Sequence, residues 1–371
     1  MHITFVRAFL PQLDSRMNKY VHALKEQGDT VSFVGWDRGQ THAPASEGDM
    51  FLYRKVAALG ARWRNLWALI GWNLFIICTL FRQRRQISVV HAVDLDSALA
   101  AWLFCRLCRK PLVFDIYDHY ADTRAVSGPA RLVLNGIERF LALHADLTLL
   151  ADESRYQQHS LVPAAHIMVV ENVPASQLSA STFDPLEPGP IRIGYFGVLE
   201  ERHRGLENLL EACAGRPGVE LHFGGYGPLS ARIEAIAREH NNVFIHGPLS
   251  HEAGLDMLSD MHCTVGFYYL SMPNHRYAAP NKYYEHLLLG RALLTTIGTP
   301  PGKRVLEEQT GWALAETADA IREWLASVSK AELAVRGSRA RALWDQRYRQ
   351  YAHDVYSSQY RNKLESLIRY A

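Results

Sequence analysis

The segment Ala279-Pro-Asn-Lys-Tyr-Tyr-Glu-His-Leu-Leu-Leu-Gly-Arg-Ala-Leu-Leu294 decides the fold class. Pro280 suits a helix start, where its missing N–H costs nothing. Gly290 stops the helix, and an apolar run suited to a buried strand follows at 292–296. Lys282 stands near the helix start and Glu285 one turn along the same face. A cation and a carboxylate so placed can hold the phosphate and the ribose hydroxyls of one nucleotide.

The same alternation runs outward from this segment. Upstream come strand Ile191–Tyr195, helix 205–213, strand 219–223, helix 229–239, strand 243–246, helix 252–258 and strand 263–267. An earlier series has strand Ile3–Val6, helix Arg16–Gln27 capped by Asp14 or Ser15 and stopped by Gly28, and strand Thr30–Val34. It continues with strand Val89–His91, a helix from about Ser97, strand Pro111–Asp115, a helix near Ala130–Leu143 and strand Asp146–Leu150. Such spacing predicts parallel sheets covered on both faces. Residues 174–190, rich in Pro, Ser and Gly, separate the two series as a linker would. The expected organisation is an N-terminal Rossmann-like domain over 1–175, a linker over 176–190 and a second such domain over 191–345. A final helix over 346–371 crosses back to the first domain. The fold class is α/β, with two parallel sheets facing across a cleft.

Composition narrows the function. The 371 residues are 48% hydrophobic and 21% charged, enough for full cores and incompatible with global disorder. A net charge of +2 excludes a general nucleic-acid coat. Five cysteines are too few and too odd in number for a disulfide scaffold. The opening MHITFVRAFLPQL lacks the layout of a signal peptide, so a cytosolic location is expected. Residues 54–110 hold ten basic residues against Asp94 and Asp96 alone, a local excess that predicts an anionic ligand or surface. Within it, Leu66–Phe81 carries no charge and is bracketed by Arg62, Arg64, Arg82, Arg84 and Arg85. As a helix it would span ~24 Å, short of a ~30 Å hydrocarbon core. It reads either as a core helix or as one lying on an anionic membrane through Trp67, Trp72 and Phe75.

Other candidate residues gather where strands end. Ile191-Arg-Ile-Gly-Tyr-Phe-Gly197 runs into Arg202, Arg204 and Gly205, and His222-Phe-Gly-Gly-Tyr-Gly-Pro228 repeats the arrangement. Glycine there lets backbone approach a phosphate, and the arginines add charge. Neither stretch spells the dinucleotide fingerprint G-x-G-x-x-G. After strand 111–115, Asp115, Asp118, His119 and Asp122 lie within eight residues, at the end of the strand where α/β sheets place reactive groups. Asp94-x-Asp96 and Cys105-x-x-Cys108 read as structural, and no metal is expected.

The chain resembles a GT-B glycosyltransferase, close to glycosyltransferase family 4 of bacterial surface-polysaccharide assembly. IRIGYFGVLEERHRGLENLLEA, FGGYGP and PNKYYEHLLLG carry the likeness in the second half. DSRMNKYVHALKEQGDTVSFVGWDRG, HAVDLDSALAA and PLVFDIYDHYADTR carry it in the first. The resemblance implies a metal-independent transfer from a nucleotide-sugar, with UDP favoured over GDP and no cofactor. The implied acceptor is a polyprenyl-diphosphate-linked saccharide at the inner face of the cytoplasmic membrane. Glu285 matches the second carboxylate of the family's Glu-x7-Glu motif, while Tyr277 stands at the first. The implied donor set is Gly197, Arg202, Arg204, Gly225, Tyr226, Tyr277, Asn281, Lys282 and Glu285. Asp118 resembles the base of an inverting relative, with His119 and Asp115 as alternatives. Arg16, Arg62, Arg64, Trp67, Trp72 and Phe75 form the acceptor and membrane set. Other readings of the same pattern are a GT-B-shaped sugar-nucleotide epimerase and a non-catalytic GT-B scaffold.

Overall fold

The computed structural model describes residues 1–10, 14–39, 49–56, 62–175 and 183–370, with the side chains of 62–66 and 370 outside the description. The chain divides into two compact units. The first comprises Met1–Glu171 and Gln350–Ala371, and the second Asn172–Arg349.

The first unit is built on seven strands: β1 (His2–Arg7), β2 (Thr30–Asp37), β3 (Asp49–Arg54), β4 (Val89–Val93), β5 (Leu112–Ile116), β6 (Leu147–Leu150) and β7 (Ile167–Val169). Every pairing is parallel, in the order β3-β2-β1-β4-β5-β6-β7. The second unit has six: β8 (Ile191–Val198), β9 (Val219–Tyr226), β10 (Val243–Gly247), β11 (Cys263–Gly266), β12 (Ala292–Thr296) and β13 (Gly311–Leu314). They too are parallel, in the order β10-β9-β8-β11-β12-β13. Both are doubly wound sheets. Their winding reverses between β1 and β4 and between β8 and β11, and such reversals open crevices beyond the strand ends. The pairing of β8 with β11 is confined to Ile193 and Gly194 opposite Cys263 and Thr264, so the two strands run on separately toward their carboxyl ends.

Local signals act as the sequence suggests in the first helix, Ser15–Glu26. Asp14 caps it by accepting from the amides of Arg16 and Met17, and Gly28 leaves it at φ +77°. The uncharged segment becomes the 22-residue helix Arg62–Gln83, longer at both ends than its apolar run. Among the described residues no helix is long and apolar enough to cross a membrane. The helix packs as a stripe every four residues: Ala68, Trp72, Ile76 and Leu80 are all buried in one core cluster. Trp72 stacks on Trp36 and Phe75 and has no exposed surface. The expectation that Trp72 faces a membrane is thereby corrected. Phe75, partly buried against Tyr53, contributes mainly to the same core. Trp67 lies on the opposite stripe, 68% exposed, with Ile70 and Leu74. Arg62 and Arg64 lie outside the described side chains.

The tail belongs to the first unit's core. Tyr356, Tyr360 and Leu364 are buried with Tyr20 and Met17 of the first helix, and the Tyr360 hydroxyl lies 2.6 Å from His91 Nδ1. The tail is helical, but π-type over Trp344–Tyr348 and Ala352–Tyr360, which the sequence pattern did not reveal.

Candidate functional site

In the second unit, candidate residues collect at the winding reversal. Gly197, near the end of β8, stands opposite Gly225 of β9. A side chain at Gly225, whose φ is +129°, would collide with the Gly197 carbonyl, so two bare backbones lie side by side there. Lys282, in the first turn of helix Asn281–Leu289, reaches across to this edge. Its Nζ donates to the Phe196 carbonyl and sits 4.4 Å from the centre of the Tyr195 ring. A Cβ on Gly197 would lie 3.2 Å from that Nζ. Burial pushes the Lys282 amine down to about 8, with the nearby Glu285 opposing the shift and Arg204 adding to it. Glu285 is itself buried, with Oε1 3.3 Å from His251 Nε2.

Arg204 leans over the Tyr268 ring at 4.9 Å and pairs with Glu200 at 3.2 Å. It is delivered by a tight turn, with His203 at φ +67° and Gly205 at +66°. A side chain at Gly205 would strike Phe267 and Tyr269. The fold thus brings Gly197, Arg204, Gly225, Lys282 and Glu285 to one strand-end region. Arg202 is exposed, and Tyr226 projects into solvent at 66% exposure. Tyr277 ends the 3-10 turn Pro273–Tyr277, and Asn281 opens the next helix behind Pro280; both are partly buried.

In the first unit the candidates sort differently. Asp115 is fully buried, 3.0 Å from Arg16 Nη2 and 3.4 Å from His91 Nε2. Burial disfavours its charge, but Arg16 and His91 outweigh that and hold the carboxyl below its usual range. Arg16 also donates to the Val170 carbonyl at 2.6 Å and is itself buried. Both are therefore core ion-pair residues, correcting Asp115 as a base and Arg16 as an acceptor contact. His119 is corrected likewise, because it is buried against Asp122 and Glu138. Asp118 keeps 48% of its side chain exposed, with Oδ1 accepting from Arg155 Nη2 at 2.9 Å.

The residue missed in this region is Asp94. It follows β4, directly at the reversal, with φ +55° and ψ +165°. That backbone region is nearly reserved for glycine, costing of order 1–3 kcal/mol and recurring at functional sites. Its Oδ1 accepts the Tyr117 amide at 3.0 Å. Burial pushes its carboxyl up to about 7; Arg7 opposes this and the Asp118 charge adds to it. Asp96, its partner in the D-x-D stretch, is tied to Arg124 and accepts from the Tyr120 hydroxyl at 2.8 Å. In the sequence Asp94 stands out only as part of a D-x-D stretch at a strand end, which reads as structural. Cys105 is buried and Cys108 partly so, both free thiols.

Residues 14–173 match the Glycosyl transferase 4-like domain. No curated protein matches the chain significantly. Among solved structures, sucrose-phosphate synthase from Thermosynechococcus elongatus superposes with a TM-score of 0.71 at 15% identity, covering 98% of this chain and 99% of that one. Anabaena HepE in complex with UDP-glucose gives 0.68 at 13% identity, covering 99% and 100%. WaaG, a glycosyltransferase involved in lipopolysaccharide biosynthesis, gives 0.65 at 13%, covering 95% and 98%. At these identities the likeness to the solved structures is one of fold, the GT-B pair of Rossmann-like domains. The glycosyl transferase 4-like match and that fold together support a glycosyltransferase.

Proposed function

We propose that the protein transfers a sugar from a nucleotide-sugar, with UDP-sugars preferred, to a polyprenyl-diphosphate-linked saccharide in bacterial polysaccharide assembly. The observation that carries the donor half is the convergence of Lys282, Arg204 and the Gly197–Gly225 backbone pair on the β8/β11 reversal. Departure of a nucleoside diphosphate builds negative charge on its β-phosphate, and preorganised cations and amides there stabilise that charge without a metal. Glu285 lies one helical turn from Lys282, suited to ribose hydroxyls. Tyr226, Tyr277 and Asn281 complete the proposed donor wall, with Arg202 as an exposed third cation. HepE in complex with UDP-glucose is a solved relative in fold and motivates the choice of UDP. A thermal-shift panel of UDP-, GDP- and dTDP-sugars, followed by product analysis with a polyprenyl-diphosphate acceptor, tests the reading; no stabilisation by any donor overturns it.

Protonation supplies a second check. With its amine near 8 in the free protein, Lys282 loses its charge as pH rises past that value, and a bound diphosphate favours the charged form. Donor binding therefore takes up protons above pH about 8, and affinity falls as pH climbs through it. Calorimetry in buffers of different ionisation enthalpy reads this directly, and proton-neutral binding there removes Lys282 from the phosphate site.

The acceptor half rests on exposed apolar stripes of the first unit. Trp67, Ile70 and Leu74 project from one helix, and Leu99, Leu103 and Leu107 from the helix Leu95–Cys108 packed beside it. Arg82, Arg84, Arg85, Arg106 and Arg109 are exposed nearby in sequence. Apolar and basic side chains together suit an anionic lipid surface, which supports a peripheral location on the inner face of the cytoplasmic membrane. Replacing Trp67 and Leu74 with Ser removes two such contacts, each worth roughly 1.5–3 kcal/mol when fully buried. Flotation with anionic vesicles should drop by tenfold or more, with the melting temperature unchanged. Equal binding by the variant defeats the membrane reading. Trp72 is unsuitable for this test, because its loss would open the core.

A further inference from the structure

One cluster in the first unit is used by none of the chemistry above. His119 stands just before the short helix Tyr120–Thr123, Glu138 lies midway along helix Gly128–His144, and His159 follows helix Ser154–Gln158. Three separate segments therefore deliver two imidazoles and a carboxylate to one buried point. One ligand atom from each lies within 4.8 Å of the other two. Glu138 Oε2 is 3.6 Å from His119 Nε2 and 3.2 Å from His159 Nδ1.

The shorter is an ordinary hydrogen-bond distance and the longer lies just beyond that range. Yet the two bracket the edge, about 3.3 Å, of a tetrahedron built on zinc–ligand bonds of about 2.0–2.1 Å. The surroundings fit as well. His119 Nδ1, on the far side of the ring, is 3.0 Å from Asp122 Oδ2, an ion-pair distance without hydrogen-bond geometry. Asp122 is held in turn by Arg131 at 2.6 Å and by the Gln158 amide at 3.1 Å. The second oxygen of Glu138 accepts the Tyr120 amide at 3.2 Å. The His159 ring differs, since its Nε2 is buried with no hydrogen-bond partner among the described residues.

We infer that His119 Nε2, His159 Nδ1 and Glu138 Oε2 bind one Zn²⁺ ion that staples the loop after β5 to two helices of the first unit. The ion is structural. It fixes the backbone that carries Asp118 and takes no part in departure of the donor's diphosphate.

The test uses the full-length chain, stripped with chelator and dialysed against Zn²⁺. Mass-spectrometric metal analysis should find about one zinc per chain, with a raised melting temperature. Cobalt in place of zinc should give visible d–d bands that the metal-free chain lacks. His159→Gln and Glu138→Gln should lose the stoichiometric zinc and the bands, and Asp122→Asn should weaken zinc about ten- to hundredfold. His246→Gln is the control, since exposed His246 lies 3.1 Å from His222 in the second unit and could hold metal adventitiously. It should retain the zinc. The inference is overturned if the wild type keeps no zinc, if His159→Gln keeps as much, or if only His246→Gln loses it. Should Glu138→Gln not fold, His159→Gln still decides the matter.

Discussion

Lys282→Ala is expected to lower kcat about 10²–10³-fold, some 3–4 kcal/mol of transition-state energy. The effect follows from where the amine is held. Its Nζ is pinned to the Phe196 carbonyl and lies over the Tyr195 ring, so little reorganisation is needed when charge develops at the strand end. It is also poorly solvated there, as its value near 8 records, and a desolvated cation interacts more strongly with an incoming phosphate than one in water. Lys282→Arg keeps the charge but not the compact ammonium geometry, and recovers only part of the loss. Because Arg204 still faces the same region, donor affinity should fall less than turnover. Rapid-quench measurement of the transfer step against calorimetric donor binding separates the two. Turnover within twofold of wild type would remove Lys282 from the reaction.

The second large effect belongs to the carboxylates beyond β4 and β5. Asp118→Asn should lower kcat about 10²–10⁴-fold, the usual contribution of a general base, with the chain still folded because the side chain is half exposed. The pH profile distinguishes its role from that of Asp94. With Asp94 poised near 7 partly by the Asp118 charge, the acidic limb of kcat/KM reports the pair together. Removing the Asp118 charge lowers the Asp94 carboxyl, so any residual activity should extend to lower pH. If Asp94→Asn abolishes transfer while Asp118→Asn leaves it intact, the base is Asp94 and the assignment to Asp118 is wrong.

Much of the fold was legible because strand and helix periods are local properties. The run Ala292–Thr296 after Gly290 read correctly as a buried strand, and the glycine-ended stretch at 191–197 as a parallel strand. The short edge strands Asp49–Arg54 and Ile167–Val169 escaped, being half-polar or only three residues long. The helix after the basic run was legible as a helix, but its two apolar stripes were not separable, because sequence does not say which face meets β-sheet. Trp67 and Trp72 are chemically alike, and only packing divides them into a surface and a core residue. The same limit applies to charge. Arg16 and Asp115 sit 99 residues apart, and nothing local marks them as one buried pair. The donor region was more readable, since Lys282 and Glu285 share a helix, whereas Asp94 depends on a backbone conformation that no residue type announces. The histidines show the extreme case: scattered in sequence, two of them meet only through tertiary contacts.

The tail that completes the first hydrophobic cluster has a consequence for synthesis. Tyr356, Tyr360 and Leu364 cover Tyr20 and Met17, so the half of the molecule translated first is finished last. Domains ordinarily fold as they leave the ribosome; here residues 1–171 must wait, with part of their apolar surface bare, until residues 350–371 have been made. A fragment ending at Glu171 should accordingly aggregate or recruit chaperones, and supplying the tail as a separate peptide should rescue its solubility.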